Sequence, residues 1–159
     1  RAAKHVLKYN TKSFIEYTWL DRGSDERQYC APGIDLPIAS IMRTKYGEYP
    51  EYHTSDDNMS LISPSGLQGA YENIALSIEL IEKNNFYIST VLCEPMLGPR
   101  GLYDIGSNDK SSPLVNFLSY ADGKKDLIDI AEILDIPAWD LFEIVDKLME
   151  NKLIKTNII

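Results

Sequence analysis

The stretch from Ser63 to Glu82 constrains how the rest of the chain can fold. Ser63-Pro64 pairs a capping hydroxyl with a proline suited to the first helical position. Leu67, Ala70, Tyr71, Ile74, Ile78 and Ile81 then recur at helical spacing, so one apolar face runs through Glu82 until Asn84-Asn85 ends it. This is the longest element the sequence predicts, and a face of that length is expected to lie across a sheet. It also separates two unlike regions: a turn-rich, polar one before it and a compact helical pattern after it.

Before it, Ala3, Val6 and Leu7 predict a helix over Ala2 to Lys12, with His5 on its more polar side and Asn10 to Ser13 as its stop. Phe14 to Leu20 is aromatic and β-branched and predicts a strand. A second strand is predicted over Leu36 to Met42, entered through Ala31-Pro32-Gly33 and Pro37, with the apolar run of a buried strand in a mixed sheet. Thr44 to Tyr52 reads as a loop that delivers His53.

After it, Phe86 to Leu92 suits strand or helix. Glu94 to Tyr103 is broken by prolines and glycines, Gly106 to Ser112 is a polar linker, and a boundary is expected near Ser112. Pro113 to Tyr120 predicts a short helix and Asp122-Gly123 a turn. Leu127, Ile130, Ala131 and Leu134 mark a second helix, and Pro137 opens a third with Leu141, Ile144, Val145 and Leu148 inward. A strand at Leu153-Ile154-Lys155 closes the pattern. Three short helices and a terminal strand resemble a winged helix-turn-helix unit. The last helix, the one that would enter a major groove, carries Asp140, Glu143, Asp146 and Glu150 against Lys147 and would repel phosphate.

Charge supports the same exclusion. The 159 residues carry a net charge of −8, which opposes nucleic acid and anionic membrane alike. No apolar run approaches the ~20 residues of a membrane span, and no signal sequence leads the chain, so a cytoplasmic protein is expected. Cys30 and Cys93 lack metal-type spacing and are expected as free thiols. Arg1 opens inside a helical pattern with no capping residue, as expected of a fragment of a longer protein.

Two polar clusters hold the candidate chemistry: Ser24 to Cys30 and Tyr52 to Asn58. His53 reads as a metal ligand, a general base or a plain loop histidine. A catalytic zinc needs about three protein ligands, and this chain offers His53 and the distant His5. Arg27 has the planar fork that grips a carboxylate, Asp25 or Glu26 could take an amine, and the ordinary reading of all three is an exposed charged loop. Cys30 has no visible base and reads as an inert thiol. Tyr46, Tyr49 and Tyr52 would line a pocket wall or sit exposed.

Gly23-Ser24-Asp25-Glu26-Arg27-Gln28-Tyr29-Cys30-Ala31-Pro32-Gly33, Leu36-Pro37, Tyr52-His53-Thr54-Ser55 with Asp57-Asn58, Glu94-Pro95, Leu97-Gly98 and Arg100-Gly101-Leu102-Tyr103 occur in that order. Together they resemble the bacterial aminopeptidase-like family associated with polysaccharide biosynthesis, which is related to the two-zinc aminopeptidases and ends in a winged-helix domain. The resemblance implies an α/β fold: the C-terminal part of a mixed-sheet zinc-aminopeptidase-like domain over 1–112, then a small winged helix-turn-helix domain over 113–159. It implies His53 as a zinc ligand with Asp57 as trailing acid, the other ligands and the glutamate base lying upstream, and Arg27, Tyr52 and Asp25 facing substrate. The implied chemistry is zinc-dependent amide hydrolysis on a small peptide or N-acylated substrate. This chain alone is expected to be inactive, to bind no nucleic acid or membrane, and to be open to homo-oligomer formation. The rival reading is a non-catalytic interaction or regulatory module built on an acidic winged helix; a transcription regulator is a third.

Overall fold

In a computed structural model that describes residues 1–102 and 112–157, the chain is mixed α/β and divides into two compact units. One comprises Arg1 and Ala3–Ser77, the other Ala2 and Ile78–Ile159. Most of the expected linker from Gly106 to Ser112, and Tyr103, lie outside the described residues.

The second unit is built on a three-stranded antiparallel sheet of β1 (Phe86–Ser89), β2 (Asp122–Asp126) and β3 (Ile154–Thr156), in the order β2-β1-β3. Its helices are α4 (Pro113–Tyr120), α5 (Leu127–Leu134) and α6 (Phe142–Glu150), the last preceded by a 3₁₀ turn over Ala138–Leu141. Most predicted inward residues do turn inward: Leu127, Ile130, Leu141 and Leu148 are fully buried together with Phe117, Ile128 and Leu153, whereas Leu134 and Ile144 are half-buried. Tyr87 from β1 meets Phe117 edge-on at 5.8 Å, a geometry aromatic rings favour.

One correction concerns Asp122-Gly123, which opens β2 instead of forming a turn. Phe86 lies opposite Asp126 and Ile88 opposite Asp122, so β2 spends extra residues in a bulge. Gly123 sits there at φ +78, where an added Cβ would come 3.0 Å from Asn157 Nδ2 and 3.4 Å from Ile88. That amide nitrogen donates to the Gly123 carbonyl at 3.0 Å, and the Asn157 backbone amide donates to Phe86 at 2.8 Å. The division expected near Ser112 would part β1 from this sheet, whereas the hydrogen bonds place β1 at its centre.

Asp126 ties the strand to the helix that follows. Its buried carboxylate accepts the Asp129 amide at 2.8 Å while the Asp129 side chain accepts the Asp126 amide at 3.1 Å, a reciprocal cap on α5. Asn84 completes the junction: its amide group donates to Asp126 at 3.0 Å and its oxygen accepts the Ile128 amide at 3.0 Å.

The first unit contains α1 (Ala2–Asn10, with Ala2 itself assigned to the other unit), the short α2 (Glu26–Tyr29) and most of α3 (Pro64–Lys83). Thr11 stops α1 by placing both its amide and its hydroxyl on the Leu7 carbonyl, and Ser63 Oγ caps α3 through the Gly66 amide. His5, expected on the polar side of α1, is buried. Neither predicted strand forms. Phe14 to Leu20 and Leu36 to Met42 pair with nothing among the described residues, and Thr18 instead caps a 3₁₀ turn over Trp19–Asp21. Strand propensity is a capacity to fit a pleated, half-buried surface, and it makes no strand without a ladder partner.

The apolar face predicted for α3 is also turned out. Leu67, Tyr71, Ile74, Ile78 and Ile81 are exposed, and the side with Asn73, Ser77 and Leu80 is the sheltered one. Asn73 and Ser77 manage there by donating to carbonyls four residues back, at 2.7 and 2.6 Å.

Two outcomes follow for the second unit. A polypeptide beginning at Ser112 lacks the central strand and will show no cooperative thermal transition, whereas one spanning 78–159 will. Asn84→Ala will lower unfolding free energy by about 1–3 kcal/mol in chemical denaturation, because it strips partners from a buried carboxylate and a helix-terminal amide.

Candidate functional site

The polar cluster around α2 is organised by Glu26, which composition left undistinguished among its charged neighbours. Its Oε1 accepts the Gly23 amide at 2.9 Å, the Ser24 amide at 3.1 Å and the Tyr46 hydroxyl at 2.9 Å. Its Oε2 accepts the Ser40 hydroxyl at 3.3 Å. Donors favour the charged form, so the carboxyl is pulled down to about 2, chiefly by the Gly23 amide and next by the Ser24 amide, with Tyr46 assisting. Gly23 is required by contact: an added Cβ would lie 2.5 Å from the Tyr46 ring. The signal for Glu26 was present in the sequence as an acid two residues after Gly23-Ser24, with Tyr46 downstream; what sequence could not give was the fold-back that joins them.

The second cluster is a run of turns. Tyr52 donates to Tyr49, Thr54 to Glu51 and Asp57 to Thr54 through backbone amides at 3.0–3.3 Å, and the Thr54 side chain both donates to Glu51 and accepts from Asp56. His53 is exposed and sits at φ +60, a left-handed conformation uncommon for residues with a side chain. Its ring stacks on Tyr52, with centroids 3.9 Å apart and planes within 17°. Tyr52 in turn lies 5.5 Å from Tyr49 and 6.4 Å from Tyr46. A chain of rings therefore runs from the Glu26 anchor through Tyr46 and Tyr52 to His53. Burial raises the Tyr46 and Tyr49 hydroxyls, with Glu26 adding at Tyr46 and Asp57 at Tyr49.

The predicted substrate-facing residues fare differently from one another. Tyr52 is part of the ring chain, half-buried. Arg27 and Asp25 are exposed and make no side-chain hydrogen bond or ion pair among the described residues. In the same run of turns, Pro50, Glu51, Asp56, Asn58, Ser60 and Leu61 line an open concavity of about 430 Å³, and His53 is not among its lining residues. Cys30 points its thiol at the Ile38 carbonyl, 3.4 Å away, with no base beside it. Among the described residues no group of three or more His, Cys, Asp or Glu side chains could hold a metal ion. His5, the other histidine, lies in α1 against Tyr9 and away from such a group. The residues present therefore do not fit a complete zinc site; they supply one exposed imidazole.

The Glu26 hub gives a pH dependence of definite sign. A carboxyl held below its ordinary value of 4.5 stabilises the folded loop fully above that value and loses the contribution as pH falls through about 2. Carboxyl-carbon NMR will follow Glu26 titrating near 2, Tyr46→Phe will move that midpoint upward, and Gly23→Ala will displace the Tyr46 ring and abolish its contact with Glu26.

Residues 1–84 match the family described as Domain of unknown function (DUF4910), and residues 85–156 match a winged helix-turn-helix family. A Clostridium acetobutylicum protein, provisionally named as a polysaccharide biosynthesis protein with an aminopeptidase-like domain, is 42% identical over 137 residues, covering 82% of this chain and 31% of that protein. A crystal structure of a provisionally named peptidase from Clostridium acetobutylicum superposes with a TM-score of 0.84 at 31% identity, covering 98% of this chain and 35% of that one. The chain thus spans about a third of the length of the relatives it matches. On the extent of the family match and on its likeness to these relatives, this chain belongs to the DUF4910 family, with a peptidase-like region and a winged helix-turn-helix match over 85–156.

Proposed function

We propose that the chain is the C-terminal part of a zinc-dependent aminopeptidase-like amide hydrolase, contributing His53 as one metal contact and Tyr52, Arg27 and Asp25 to a substrate pocket. The observation that carries this reading is the presentation of His53: a left-handed turn and the Tyr52 ring hold an exposed imidazole, in a chain similar to a protein with an aminopeptidase-like domain and to a solved peptidase structure. Zinc, when bound, would polarise the amide carbonyl and lower the pKa of a bound water. What this chain does toward that is local: Tyr52 fixes the ring, and exposed Arg27 is free to meet a carboxylate. The substrate class is a small peptide or an N-acylated sugar, the compartment the cytoplasm, and self-association is compatible with the surface. The remaining ligands and the base belong to the part of the larger protein that this chain does not span.

A second reading, favoured by the winged helix-turn-helix match over 85–156, is a regulatory or interaction module. Its surface chemistry speaks against DNA. On α6, Lys147 is paired with Glu143 at 2.7 Å, and Lys83 reaches Asp146 at 3.4 Å, so these lysines face carboxylates of their own unit. Asp140 and Glu150 add further negative charge beside them.

Zinc titration of the full-length protein tests the leading reading: His53→Ala will weaken zinc affinity by at least tenfold, and unchanged affinity would remove His53 from the site. The purified 159-residue chain will show no zinc-dependent aminopeptidase turnover. In a gel-shift at low salt it will retard no duplex DNA; a shift there would favour a transcription regulator instead.

A further inference from the structure

From residue 7 to residue 76 no side chain is buried. The apolar residues in that span are not scattered singly, as ordinary surface hydrophobes are. Ile15, Tyr17 and Trp19 follow one another at alternate positions, with Ile15 75% exposed, and Leu36, Ile38 and Met42 share a second alternating set, all exposed. Leu20 at 86%, Met59 at 79%, and Leu67, Tyr71 and Ile74 on α3 are exposed as well. Exposed apolar side chains in this number, with none buried over seventy residues, are what a surface built to be covered carries.

The backbone adds a second observation. Residues 13–18 and 35–42 run without helix, turn or bend. The amides of Phe14, Ile15, Glu16 and Tyr17, and those of Ala39, Ser40, Ile41 and Met42, make no hydrogen bond among the described residues. Period-two apolar residues with a free row of donors are what a strand presents before it joins a sheet.

We infer that 14–17 and 39–42, the parts of the two segments whose amides are unbonded, are strands in waiting, which pair with the edge of a sheet in the remainder of the aminopeptidase-like protein, while the surrounding apolar residues pack beneath that sheet. The occupant is identified by length: this chain covers 31% of one relative and 35% of another, so most of such a protein is available to cover the surface. The inference rests on the reading of this chain as part of that larger protein, but not on His53 or zinc.

The test compares hydrogen exchange in the 159-residue chain with exchange at the matching stretches of the full-length Clostridium acetobutylicum relative. Amides of 14–17 and 39–42 will exchange rapidly in the chain alone and at least a hundredfold more slowly in the full-length protein. Equal rates in both would overturn the inference, as would protection that appears in the isolated chain as it dimerises with concentration, since the occupant would then be a second copy. In co-expression with a tagged form of the relative's unmatched portion, the chain will co-purify. Ile38→Lys will reduce recovery at least tenfold, and Leu92→Lys, at an exposed site in the other unit, will leave it unchanged; equal recovery of all three would also overturn the inference. His53→Ala will co-purify normally. If that variant kept full zinc affinity in the full-length protein, the metal reading would fall and the docking surface would stand.

Discussion

The strand Phe86–Ser89 carries two ladders at once, and the second unit depends on it. β2 and β3 each ladder onto β1, one on either side, so the helices whose apolar faces close the core hang from strands joined by its backbone, with the bond from the Asn157 side chain to Gly123 bypassing it. The Tyr87 ring reaches into that core against Phe117, and the Asn84 side chain, just before the strand, secures Asp126 and the start of α5. Backbone ladder, aromatic contact and helix cap thus converge on the short stretch 84–89. The winged-helix match beginning at residue 85 has the same physical content.

The first unit is held by a different kind of interaction. Beyond His5 and Val6 on α1 and Ser77 at its end, it buries no side chain, and apolar burial is the largest favourable contribution to folding. Order there comes from turns, a carboxylate with four donors, and stacked rings. Each is local and modest in net worth, which is the pattern expected of a surface whose main apolar burial happens against something else.

Local signals in the sequence were readable wherever the partner lay nearby. Ser63-Pro64 marked the start of α3, Pro113 the start of α4, and the inward positions Leu127, Ile130, Leu141 and Leu148 were legible from period alone. Failures came where the partner lay far along the chain or where none appears among the described residues. Phe14–Leu20 and Leu36–Met42 carried the composition of strands without a ladder, and the stripe from Leu67 to Ile81 carried the period of a buried face without a cover. The site followed the same rule. His53 could be found by residue type and by family resemblance, whereas Glu26 became visible only once Gly23, Ser24, Ser40 and Tyr46 were folded around it.

The left-handed turn at His53 has a consequence for any ligand that reaches it. An imidazole on a flexible loop loses rotational freedom when it binds, and that loss subtracts from affinity. Here the backbone conformation and the Tyr52 ring restrict the side chain beforehand, so the entropy is surrendered during folding. Association at this point is then governed by the number and charge of the groups that join the imidazole, with little left to be lost in arranging it.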